Sequence, residues 1–164
     1  MTATAIGRVH GRRVWDSRGR PTVEAEVTLQ GGAVGRAIAP AGASTGTGEA
    51  VDRRDGGARL GGHDVTAAVA AVNGEIAAAL AGLDAMDQET VDNRLIGLDG
   101  TANKSRLGGN ATIAVSLAVA HAAAAAEGMP LWRYLAGDRP AALPLPEIQL
   151  FGGGAHAARR VDVQ

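Results

Sequence analysis

Two hydrophobic periods divide the chain. From Ile6 to Pro40, apolar and polar positions alternate, with Val23, Ala25 and Val27 interleaved with Thr22, Glu24, Glu26 and Thr28; this two-residue period belongs to strands with one buried face. Gly31-Gly32 supplies a turn before Ala33 to Ala39, so the pattern predicts a three-stranded antiparallel meander. The carboxylates at the alternate positions then read as the solvated face of a half-buried sheet.

From His63 the period lengthens. Val65, Val69, Val72, Ile76 and Leu80 recur at three- and four-residue steps, with Gly82 as a stop, which predicts an amphipathic helix. Asp84 or Asp87 caps a shorter helix carrying Val91 and Leu95, and Asn110 caps a long alanine-rich helix running to Glu127, ended by Gly128 and Pro130. The expected fold class is therefore α+β, the meander from about Ile6 to Pro40 packed against helices from about His63 to Ala136.

Beyond that comes Gly137-Asp138-Arg139-Pro140 and then the proline-spaced Leu143-Pro144-Leu145-Pro146, which no helix interior accommodates. A boundary is expected there, with one domain over residues 1–140. Residues 141–164 are a linker, a short strand candidate from Glu147 to Phe151, and the bare start of a second domain.

A chain of 164 residues with 46% apolar content can bury a proper core, but only 2% of it is aromatic, so that core must be built from Ala, Val, Leu and Ile. Sixteen basic residues against seventeen acidic ones, with no block of either sign, argue against a nucleic-acid or membrane partner. The absence of cysteine rules out a disulfide framework and thiolate chemistry. Met1 to Ala5 do not begin a secretory signal, so the cytoplasm is the expected location. The most apolar window, Ala111 to Ala126, is interrupted by Ser116 and His121 and falls short of the roughly 20 residues of a membrane span, so it reads as a buried helix.

Candidate chemistry gathers at a few positions. Ser44, in Gly42-Ala43-Ser44-Thr45-Gly46, offers hydroxyl and carbonyl oxygens of the kind a hard cation such as magnesium takes; by itself the segment equally fits a turn or a helix cap. His156 follows Gly152-Gly153-Gly154, which leaves its ring room to lean on a ligand, or simply to sit on an irregular loop. Arg18, in Asp16-Ser17-Arg18-Gly19, suits a local ion pair with Asp16. His10, His63 and His121 show no four-residue helical metal spacing, so nothing supports zinc.

Several segments taken together carry a resemblance: Val14 to Glu24, Ala39 to Gly46, Arg54-Asp55-Gly56, Leu98-Asp99-Gly100-Thr101, Asn103 to Gly108, Asn110-Ala111 and Gly153-Gly154-Ala155-His156-Ala157. In this order and spacing the chain resembles the enolases, covering their amino-terminal domain and the first strand and loop of their C-terminal α/β barrel. The resemblance implies a magnesium-dependent lyase that interconverts 2-phosphoglycerate and phosphoenolpyruvate by removing a proton alpha to a carboxylate. It implies that Ser44 coordinates the second magnesium over the substrate, that His156 and Gln164 line the phosphorylated carboxylate, and that Arg18 contributes to the interface of a homodimer or higher homo-oligomer, where its fork suits a neighbouring carboxylate.

The resemblance also places the lysine base, the acid and the acidic metal ligands of the family beyond residue 164. No catalytic residue is then expected within this chain, and the 164 residues alone are expected to be inactive. The loop reads Gly46-Thr47-Gly48-Glu49-Ala50 where enolases usually carry a histidine, and Gly152 stands where they carry asparagine. These departures motivate an enolase-like paralogue acting on a phosphoenolpyruvate-like substrate of phosphonate metabolism. A further reading is a non-catalytic module that only self-associates.

Overall fold

The fold was analysed in a computed structural model, which describes residues 2–42, 46–150 and 152–153. The alternating segment forms three strands, β1 (Ile6–Trp15), β2 (Pro21–Leu29) and β3 (Val34–Ala39), antiparallel and in the order β1-β2-β3. The register pairs Val9 with Val27, Gly11 with Ala25, and Ala25 with Ala37. Val23, Ala25, Val27 and Leu29 of the central strand are all buried because the period of two turns every one of them to the helical layer.

The opposite face is not the solvated row that the alternation suggests. Glu24 is only 7% exposed: Arg12 Nε lies 2.7 Å from one of its oxygens and Arg36 Nε 3.6 Å from the other, while Arg12 also reaches Glu26 at 2.5 Å. Long arginine stems from both neighbouring strands close over the central carboxylate, as cross-strand pairing allows.

The helical segment opens with α1 (Thr66–Ala71), continues through a π-helical turn, Val72–Ile76, and ends as α2 (Ala77–Leu80). Val65, Val72, Ile76 and Leu80 are fully buried. The π turn lies where the helix meets β1: a side chain at Gly11 would come within 2.8 Å of Val72. Asn73 Oδ1 accepts from Gly11 N–H at 2.8 Å and Asn73 Nδ2 donates to Gly11 O at 2.9 Å. The widened turn thus presents an amide that pairs with the backbone of an edge strand.

Next come α3 (Gln88–Asp99), α4 (Gly109–Ala126) and α5 (Leu131–Ala136). Of the two expected caps for α3, Asp87 takes the place, accepting from Thr90 N–H at 3.0 Å. Asp84 instead holds the preceding turn through Met86 N–H. α4 is long and apolar enough to cross a membrane by length and composition, yet 67% of it is buried in the fold, as expected of the central core helix. It crosses β3 at Gly35, where a Cβ would stand 2.1 Å from Ala122 N; only glycine permits that approach.

The core is aliphatic, as the composition requires: its largest fully buried side chains include Ile6, Ile76, Leu80 and Leu107, whereas Trp15 and Trp132 are exposed. Two expectations are corrected. Asn110 is not the cap of α4: Gly108 holds that position, and the Asn110 amide is drawn to a distant backbone described below. No strand forms at 147–150: residues 141–149 are neither helix nor strand, since among the described residues they have no neighbouring strand to pair with and Pro144 and Pro146 have no N–H to give. Phe151 lies outside the described residues, and no barrel is present among those described.

Candidate functional site

The segment after β3 returns to the helices around a cavity of about 480 Å³ whose walls include Pro40, Ala41, Gly42, Glu49, Asp52 and Asn103. Its two stems are fastened by different means. On the first stem, the β1–β2 turn closes through Asp16 N–H to Arg20 O at 2.8 Å, with Gly19 at φ 69°, a conformation that favours glycine. Asp16 Oδ1 accepts from the backbone N–H of both Arg18 and Arg20 at 2.8 Å. The N–H of Arg20 above all, with that of Arg18 and the Arg18 charge, outweighs desolvation and holds the Asp16 carboxyl below the usual carboxylate range.

Arg18 then reaches across. Its guanidinium donates to Ala41 O, to Gly42 O at 3.3 Å, and to Asp16 Oδ2 at 3.4 Å. The local pair with Asp16 is therefore present, and the two terminal nitrogens also reach two consecutive carbonyls of the same chain.

The second stem, residues 51–55, is held on three sides. Val51 N–H donates to Asn103 O and Val51 O accepts from Gly109 N–H, both at 2.8 Å. Asn110, only 1% exposed, accepts from Arg53 N–H through Oδ1 and donates to Arg53 O through Nδ2, each at 3.1 Å. Arg54 donates to Pro21 O, to His63 O at 3.0 Å and to Asp52 Oδ2 at 3.0 Å. Asp55 then supplies the N-terminal cap of α1 from a distance, accepting from Thr66 and Ala67 N–H at 2.8 and 3.0 Å. The hydroxyl of Thr66, followed by these N–H groups, lowers its pKa against a desolvation cost.

Asn103 is placed by the loop after α3. Asp99, 2% exposed, accepts from Thr101 N–H at 3.0 Å, from the Thr101 hydroxyl and from Leu107 N–H at 2.7 Å. Burial alone would raise its pKa, but these donors together lower it. The segments Leu98 to Thr101, Asn103 to Gly108 and Arg54-Asp55 thus prove to be the scaffold of the cavity. Their role is not legible in the sequence because partners such as Asn110 for Arg53 lie far away along the chain.

Of the expected site residues, Ser44, His156 and Gln164 lie outside the described residues. Arg18 lies at the cavity's first stem. Among the described residues no group of three or more His, Cys, Asp or Glu gathers as a metal site; Asp52 is engaged by Arg54 and Glu49 by Gly46 N–H at 2.7 Å. The described donors do not by themselves fit a magnesium ion.

An antiparallel meander backed by an alanine-rich helical layer, with a fastened loop at one end, defines an α+β domain. The family model described as Enolase, N-terminal domain matches residues 6–135, and the chain belongs to that family.

Proposed function

We propose that this chain is the amino-terminal part of an enolase, a magnesium-dependent lyase of the cytoplasm interconverting 2-phosphoglycerate and phosphoenolpyruvate. The observation that carries the reading is the family match over the whole folded region, and the fastened stems around the cavity add to it. In this reading Ser44 gives one oxygen to the metal, His156 and Gln164 line the substrate, and the base and acid come from a barrel beyond residue 164. The protein works as a homo-oligomer, a proposal supported by the outer face of the sheet, which no helix among the described residues covers and where exposed Arg8 stands beside the ion pairs that Arg12 makes with Glu24 and Glu26 and Arg36 with Glu24.

The test is a steady-state assay, with magnesium and 2-phosphoglycerate, on the longest form of the protein its gene encodes. Turnover on the order of 1–1000 s⁻¹ is expected. No turnover would overturn the reading and leave the phosphonate-pathway paralogue, motivated by Thr47 and Gly48, to be assayed on phosphoenolpyruvate-like substrates. Ser44→Ala is expected to lower kcat across a magnesium titration while leaving the unfolding midpoint in place.

A further inference from the structure

The Arg18 guanidinium sits between three acceptors that belong to two separate parts of the chain. Asp16 belongs to the β1–β2 turn and is fixed there by two backbone N–H groups. The Ala41 and Gly42 carbonyls belong to the wall of the 480 Å³ cavity. A backbone in which consecutive carbonyls point at one cation is a narrow subset of what a Pro-Ala-Gly segment samples freely, and glycine samples most widely of all. A planar fork with several donors can hold that subset, whereas a single ammonium at the same site satisfies fewer acceptors at once.

We propose that Arg18 is a positioning residue for this cavity: anchored on Asp16, it fixes the Ala41 and Gly42 carbonyls so that the first wall is set before a ligand arrives. The identity of the ligand rests on the enolase reading given above, whereas the positioning itself rests on the hydrogen bonds. Pre-setting a wall raises the binding-competent fraction, and apparent affinity scales with that fraction.

Hydrogen exchange on the 164-residue chain tests the positioning directly. In Arg18→Gln, peptides spanning residues 40–50 are expected to exchange about tenfold faster, with partial rescue in Arg18→Lys and unchanged protection in α4, which reports an intact fold. In the assayed enzyme, Arg18→Gln is expected to raise KM about tenfold and to change kcat less than about twofold. Unchanged exchange over 40–50, or faster exchange without the KM shift, overturns the proposal, as does a loss of oligomer with the loop unaffected. If the wild-type enzyme does not turn over 2-phosphoglycerate, the enolase reading fails and the exchange arm alone decides the role of Arg18.

Discussion

Asn110 shows how a single side chain can join two distant segments. Its amide satisfies both backbone groups of Arg53, 57 residues away, and its oxygen also meets Ala111 N–H at 3.1 Å. Truncation would leave the part-buried N–H and C=O of Arg53 without these partners, so Asn110→Ala is expected to cost about 2 kcal/mol. Urea unfolding checks this, and a midpoint equal to wild type would show the clamp to be dispensable. Local spacing marked Asn110 as a residue that matters but gave it the wrong task. An asparagine ahead of an apolar helix fits the cap rule, and nothing within a few residues reveals that its partner is Arg53. Asp87, one of the two caps the sequence offers for α3, takes that place for the converse reason, since its partner Thr90 lies one turn away. Two glycines extend the contrast between local and distant constraints. Gly97, on α3, faces open space, so Gly97→Ala is expected to stabilise by about 0.5–1 kcal/mol through helix propensity. Gly35→Ala is expected to cost about 3 kcal/mol, because the backbones of β3 and α4 would have to part.

The elements were legible wherever one period held. The meander and its order follow from alternation between Ile6 and Pro40, and Val65, Val72, Ile76 and Leu80 are buried as the three- and four-residue steps predict, whereas Val69 is only half-buried and Ala68 and Ala71 are buried beside it. The π turn was hidden because Val72 and Ile76 keep a helical spacing across it; what selects it is the docking of Asn73 on Gly11, a contact between elements. Capping and loop-closing carboxylates share one electrostatic signature. Buried Asp64, just ahead of α1, accepts from Arg13 Nη1 at 2.9 and 3.0 Å. Hydrogen bonds to Thr66 for Asp55, to Arg13 for Asp64 and to Thr90 for Asp87 lead the causes that hold these groups below the usual range; Asp99 is held there despite its burial. A folded-state pKa below the unfolded value means stability that is complete above the unfolded value of about 3.9 and lost as pH falls through the folded one. Unfolding midpoints are therefore expected to hold from neutrality down to about pH 5 and to drop steeply below about pH 4. A midpoint that stays level down to pH 2.5 would show that these bonds contribute little.

The molecule as a whole sets a tightly packed α+β domain beside a segment with a different character. Up to α5, the aliphatic side chains of β2, α1, α2 and α4 share one core, with Tyr134 of α5 packed against it. From residue 141 the apolar residues point outward: Leu143 is 98% exposed, Leu145 92% and Leu150 82%. The prolines announced this change of character in the sequence, but the alternation of Leu and Pro could not say whether the leucines would find a partner. Among the described residues of this chain they stay exposed. A segment with exposed backbone and no ladder bonds opens to a protease without unfolding the rest, because cleavage follows local rather than global opening. Thermolysin, which cuts before large aliphatic residues, should therefore clip the chain between about residues 142 and 150 under native conditions. The product ending near Ala142 is expected to keep the wild-type urea midpoint within about 0.5 kcal/mol, because the removed leucines contribute no core contact. Early cuts inside α4 or β2, or a clipped product that unfolds at markedly lower urea, would place the domain boundary elsewhere and give residues 141–150 a share in holding the domain together.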